Sequence, residues 1–245
     1  MPDRTDPPRR LFLKRTIALV PASALATSAA PTAAESRHPE PAPKASPASS
    51  PASHYQPRYF SASEWKFIHA ACDRLIPEDD IGPGALSLRV PEFIDRELEG
   101  GFGHAARWYM QGPFREDAPP ELGYQSRQTP REVYRRAIAA IDAECERRYG
   151  RSFAQLDGGA QDQVLDACST NRFGPGQERL DRFFSFLWQN VKEGYFADPI
   201  HGGNHGMGSW QMMGFTGARA SYLEWAERHN QPYPLGPVSI TGQRL

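Results

Sequence analysis

The residues with the most chemistry to offer gather near the C-terminus. Asp198, His201 and His205 fall inside a stretch from Glu193 to Arg219 that also holds seven glycines. Carboxylate and imidazole are the usual donors for zinc or non-haem iron, so a metal centre on these three residues is one reading. The two histidines have the i, i+4 spacing of a helical pair, but Gly202 and Gly203 lie between them and oppose the helix that would align them. A dinucleotide site would need Gly-x-Gly-x-x-Gly behind a strand, and no strand precedes this run. The third reading is a rigid platform showing Tyr195, Phe196, Trp210, Met212, Met213 and Phe215 to a protein partner, since aromatics and Met are enriched at interfaces. The plain alternative is that these side chains pack beneath the loop. The partner-binding set is read as Tyr195, Phe196, Asp198, Pro199, Gly202, Gly203, Asn204, Trp210 and Phe215. In it Asp198 and Asn204 would hold the loop by accepting backbone N–H groups, as Asx side chains do in turns.

Other chemistries find less support. Glu78-Asp79-Asp80, between Pro77 and Gly82, offers oxygen ligands but not the spaced acids and terminal Glu of a calcium loop, so it reads as an acidic turn. Ser209 lacks the flanking glycines of a nucleophile elbow, and His69 with Asp73, one helical turn apart, reads as a surface pair. No two carboxylates are singled out as an acid and base, so no catalytic residue is assigned. Cys72, Cys145 and Cys168 form no CxxC pair and no haem-attachment site; they allow one disulfide and a leftover thiol.

The elements that would position these residues are helical. Ser61 caps a helix with Glu64 in its first turn, and Trp65, Ile68, Cys72 and Leu75 follow at spacings of three and four, ending before Pro77. Pro91 to Leu98 makes a short helix stopped by Gly100-Gly101. Thr129 caps the longest, whose stripe of Val133, Tyr134, Ala137, Ile138, Ile141 and Cys145 runs to Tyr149 before Gly150. Further helices are predicted from about Gly159 to Ser169, Glu178 to Glu193, and Ala218 to His229. No segment alternates long enough to need a sheet. The expected fold is therefore all-α: a single irregular helical bundle with a long Gly-rich loop near the C-terminus and a disordered leader in front.

The 245 residues carry 28 Lys+Arg and 29 Asp+Glu, a net charge of −1, but unevenly. Residues 1–58 have 8 basic and 4 acidic residues, and residues 59–245 have 20 and 25. An acidic folded part argues against nucleic acid as a partner. Arg9-Arg10-Leu11-Phe12-Leu13-Lys14, then a weakly apolar run and small residues to Ala34, reads as a twin-arginine export signal over 1–34, with Arg9, Arg10, Phe12, Leu13 and Lys14 as the part the translocase recognises. Cleavage is placed after Ala34. Residues 35–58, rich in Pro, Ala and Ser, read as a disordered tether, residues 59–230 as the folded domain, and 231–245 as an extended tail. Twin-arginine export carries folded proteins, so the signal implies a redox or cofactor setting without assigning the cofactor to this chain.

Four segments resemble subunit 3, the small or gamma subunit, of membrane-bound gluconate 2-dehydrogenase and relatives that oxidise sorbitol, fructose or glucose. They are Arg9–Lys14; Asp73 to Asp80 with Gly82-Pro83-Gly84-Ala85; Leu122-Gly123-Tyr124-Gln125-Ser126; and Phe183-Phe184 through Glu193-Gly-Tyr-Phe-Ala-Asp-Pro to Gly202-Gly203-Asn204, Trp210 and Gly217-Ala-Arg219. The resemblance implies a non-catalytic subunit of an acceptor-type oxidoreductase complex, without a cofactor of its own. Its partners would be an FAD-bearing large subunit of the glucose-methanol-choline type and a cytochrome c subunit. It also implies that the small subunit carries the export signal for the large one, matures and stabilises it, and ends in the periplasm, peripheral to the inner membrane. The chain departs from the pattern at Thr216, where Pro is expected between Phe215 and Gly217, and at His201, where an aromatic is common.

Overall fold

In a computed structural model, the structure describes residues 55–244 apart from 175 and 177. The export-signal residues Arg9, Arg10, Phe12, Leu13 and Lys14, and the rest of residues 1–54, lie outside the described residues. Among the described residues there are six α-helices: α1 Ala62–Leu75, α2 Val90–Glu99, α3 Pro130–Tyr149, α4 Gly158–Ser169, α5 Leu180–Phe196 and α6 Gly208–Met213. Short 3-10 turns link them, and no strand occurs among the described residues, which is the all-α architecture expected.

The ends of these helices follow their capping residues. Ser61 and Thr129 each accept from the backbone N–H three residues on, while Glu64 and Glu132 reach back to the cap N–H, closing two capping boxes. Gly150 ends α3 at φ 67°, a left-handed conformation that costs glycine nothing. In the middle lies α5, packed against α1, α2, α3 and α4. Phe183 on α5 meets Tyr134 of α3 edge-on at 5.2 Å and Phe67 of α1 at 6.1 Å, and Phe67 lies 4.5 Å from Phe153. The Tyr134 hydroxyl is buried and donates to Asn190 Oδ1 at 2.7 Å, so the core's one deep phenol keeps a partner.

Three expectations need correction. The helix read over Ala218–His229 is absent; only a 3-10 turn, Leu223–Trp225, forms there. Helices this short depend on burying a face, and this segment buries none: Leu223 is 84% exposed, and Tyr222, Trp225 and Tyr233 pack on one another and under Arg219 and Arg228. Second, α5 runs on to Phe196, so Tyr195 and Phe196 stand on a helix rather than in the loop. Third, residues 55–58, read as tether, are held to the body: Tyr55 Oη and the Arg58, Tyr59 and Phe60 N–H groups all donate to Asp95.

All three cysteines are buried free thiols, so no disulfide forms among them. Burial pushes Cys145 up to about 12 and Cys72 and Cys168 higher still. The thiolate is the reactive form, so native protein at pH 8 should resist iodoacetamide over an hour, and denatured protein should take up three labels by mass. Rapid labelling of the native chain would contradict the buried assignment.

Candidate functional site

The glycine-rich stretch begins where α5 ends and is folded rather than open. Asp198 caps a 3-10 turn, Pro199–His201, by accepting from Ile200 N–H at 3.1 Å through Oδ1. Its other oxygen accepts from Ile240 N–H at 2.7 Å, tying the C-terminal tail to the loop. Asn204 is fully buried at φ 44°, a left-handed conformation that Asn tolerates better than most residues. Its Oδ1 accepts from both Ser209 N–H (3.0 Å) and Ser209 Oγ–H (2.8 Å), and its Nδ2 donates to Ala197 O at 2.9 Å. The stretch is thus closed on itself by one side-chain amide. α6 follows, and Gly214 ends it at φ 70°.

Glycines allow the close packing. Gly194 of α5 leaves no room for a side chain, since a Cβ there would stand 2.7 Å from the Phe93 ring of α2. A Cβ at Gly203 would lie 2.1 Å from Gly194 O. Tyr195 and Trp210 are buried: the Tyr195 hydroxyl donates to Pro83 O at 2.8 Å, and Trp210 Nε1 donates to Phe196 O at 2.8 Å. Burial raises the Tyr195 hydroxyl pKa, so it stays a neutral donor.

The residues predicted as partner-binding therefore divide. Tyr195, Asn204, Gly203 and Trp210 are buried and brace the loop, while Asp198, Pro199 and Gly202 shape its first turn. Phe196 and Phe215 are exposed, each edge-on to one of the braces, Tyr195 and Trp210. Met212 and Met213 are also exposed, as are Ile200, Ile81 of the acidic turn and Ile240 of the tail. The sequence reading missed Ile81, Ile200, Ser209 and Ile240. Val238-Ser239-Ile240-Thr241 is β-branched at three of four positions and could have flagged a pairing segment. It does pair: Ala218 N–H donates to Val238 O at 2.8 Å and Val238 N–H to Thr216 O at 3.2 Å, burying Val238 and Ser239. Part of the predicted extended tail is thus built into the site.

The metal reading meets a geometric obstacle. Both Asp198 oxygens are occupied by backbone N–H groups, and His201 and His205 sit in different 3-10 turns, separated by left-handed Gly202 and Asn204. Burial, with Arg89 nearby, lowers the His205 pKa and leaves the ring neutral at pH 7. Among the described residues no three His, Cys, Asp or Glu side chains gather as a metal site requires.

Asn204→Ala should remove three hydrogen bonds and place a non-Asn residue at positive φ, for a loss of about 2–4 kcal/mol in urea unfolding. Asn204→Asp keeps both acceptor bonds but turns a buried carboxylate oxygen toward Ala197 O, so it should lose a comparable amount. Unchanged stability of Asn204→Ala would mean that this amide does not organise the loop.

The fold and site define a helical domain that presents a braced apolar loop. The chain belongs to the gluconate 2-dehydrogenase subunit 3 family, whose model matches residues 62–217, and is thus a subunit of that kind of multi-subunit complex. The match spans the braced loop and stops before the tail. No curated protein and no solved structure matches the chain. Among the described residues no helix is long and apolar enough to cross a membrane.

Proposed function

We propose that this is the non-catalytic small subunit of a periplasmic, membrane-associated, FAD-dependent dehydrogenase acting on gluconate or a related sugar or polyol. It escorts the FAD-bearing large subunit through the twin-arginine translocase and then stays bound, stabilising it. FAD belongs to the large subunit, a cytochrome c subunit completes the complex, and this chain carries no cofactor. The observation that supports the reading is the pair Phe196, at the end of α5, and Phe215, just after α6, both exposed beside a loop that buried Tyr195, Asn204 and Trp210 hold in place. A pre-ordered aromatic surface loses little conformational freedom on binding, which suits a permanent subunit contact. The stand-alone metalloenzyme on Asp198, His201 and His205 is disfavoured because these side chains do not gather as a ligand set among the described residues.

Arg9→Lys together with Arg10→Lys tests the escort role. Both subunits should then remain in the cytoplasm, with dehydrogenase activity in the periplasmic fraction falling at least tenfold. Unchanged export of the large subunit would overturn the escort.

A further inference from the structure

A groove of about 970 Å³ opens between the first half of α1 and the turn Phe153–Gln155, and no residue of the braced loop lines it. From α1 come Trp65, Lys66 and His69, with Trp65 and Lys66 one helical turn before His69. Asp142 of α3, Ser152 and Gln155 stand on the other wall. Three of these side chains keep polar atoms that the fold leaves unmatched. Lys66 is exposed and makes no hydrogen bond or ion pair among the described residues. Asp142 Oδ1 accepts from Phe153 N–H at 2.9 Å, while its Oδ2 has no partner among the described residues. His69 lies edge-on to Trp65 at 4.6 Å, and its Nε2 is one of two buried side-chain polar atoms without a hydrogen-bond partner among the described residues, so this wall departs from the satisfied pattern of the rest.

Charge decides what fits. Burial lowers the His69 pKa and leaves that ring neutral at pH 7, so Lys66 and Asp142 carry the groove's charges from its two walls, unpaired with each other. Burial raises the Asp142 pKa, with a smaller push from Glu146 one turn on, and an ammonium beside the carboxylate would offset that cost. A simple anion would suit Lys66 but meet Asp142, a simple cation would meet Lys66, and a neutral sugar would leave both charges unanswered. We infer that the groove binds a small zwitterion with an apolar body, a free amino acid or a short peptide, its carboxylate on Lys66, its ammonium on Asp142 and its body against the Trp65 ring. The volume, the indole wall and the few polar groups have the build of a small-molecule pocket. The inference goes beyond the subunit reading and does not depend on it.

The test is calorimetric titration of the full-length chain, alone at pH 7, with phenylalanine, glycylphenylalanine, phenylacetate and phenethylamine. At least one of the two zwitterions should bind with a Kd of about 1 mM or tighter, and the better of them tells amino acid from peptide. Phenylacetate lacks the ammonium and phenethylamine the carboxylate, so each should bind at least about tenfold more weakly. Lys66→Gln should weaken the zwitterion about tenfold and leave phenethylamine unchanged. Asp142→Asn keeps an acceptor for Phe153 N–H, and it should weaken the zwitterion while leaving phenylacetate unchanged. Lys66 is exposed, so its variant should fold normally, which circular dichroism checks. Failure of both zwitterions to bind, a singly charged probe that binds as tightly as they do, or a Lys66→Gln protein that binds them like wild type would each overturn the inference. The large subunit takes no part in the titration, so the subunit reading stands in every case.

Discussion

Replacing Asp95 by Asn should lower stability by about 3–5 kcal/mol and the melting temperature by roughly 10 °C, among the largest losses for any single polar substitution in the chain. The carboxylate is fully buried on α2 and accepts four hydrogen bonds from one short segment: Tyr55 Oη–H (2.8 Å) and the N–H groups of Arg58 (2.8 Å), Tyr59 (3.0 Å) and Phe60 (3.1 Å). All four are donors, and only a carboxylate has acceptor capacity on both oxygens. Asn would turn an NH2 toward some of these donors and leave N–H groups buried without partners. Arg135 adds a second hold, since Nη2 donates to Tyr59 O at 2.9 Å and the guanidinium lies over the Tyr59 ring. Asp95→Asn should therefore free the segment where the leader joins the body, and limited proteolysis should cut near residue 58 before the core opens.

Tyr55 gives an independent readout. Burial first, then the hydrogen bond to Asp95, pushes its hydroxyl up to about 12. A folded-state pKa raised above the unfolded value near 10 contributes stability that is complete below pH 10 and is lost as the pH climbs toward 12. In the Asp95→Asn protein the phenolate band near 295 nm should appear at lower pH than in wild type. Unchanged titration and unchanged melting together would show that Asp95 does not organise this segment.

Helix positions were legible because their signals are local. Capping boxes at Ser61 and Thr129, the three-and-four spacing on α1 and α3, and Gly150 each act within one turn of chain. What was missed depends on partners far along the sequence. Asp95 reads as a polar residue on a short amphipathic helix, and nothing nearby shows that its donors lie some 35 to 40 residues earlier. The Asx roles of Asp198 and Asn204 were readable from residue type, but the Ile240 N–H that takes the second Asp198 oxygen lies 42 residues on. The Ala218–His229 segment has the composition of a helix and lacks only a surface to pack against, a tertiary fact. The loop's aromatics divide: Tyr195 and Trp210 are packed beneath it, as the plain alternative has it, and Phe196 and Phe215 face solvent.

Gly203→Ala should be among the most damaging single-methyl changes in the site. The added Cβ would meet three backbone atoms of Gly194, the oxygen at 2.1 Å, the carbonyl carbon at 2.8 Å and Cα at 2.9 Å, and backbone cannot swing aside as a side-chain tip can. Gly194 cannot retreat, because Phe93 is packed on it and is itself buried. The loop must lift off α5 instead. Lifting stretches the Asn204 and Trp210 bonds that begin on either side of that contact, so the expected loss is about 3 kcal/mol or more. Dissociation from the large subunit should quicken too, since Phe196 and Phe215 are fixed by the braces that move. Gly236→Ala makes the control: open space surrounds the new methyl and φ is ordinary, so stability should stay within about 0.5 kcal/mol of wild type. If Gly203→Ala unfolds in urea at the same midpoint as Gly236→Ala, the loop is not seated against α5, and the braced surface on which the proposed subunit contact stands is lost with it.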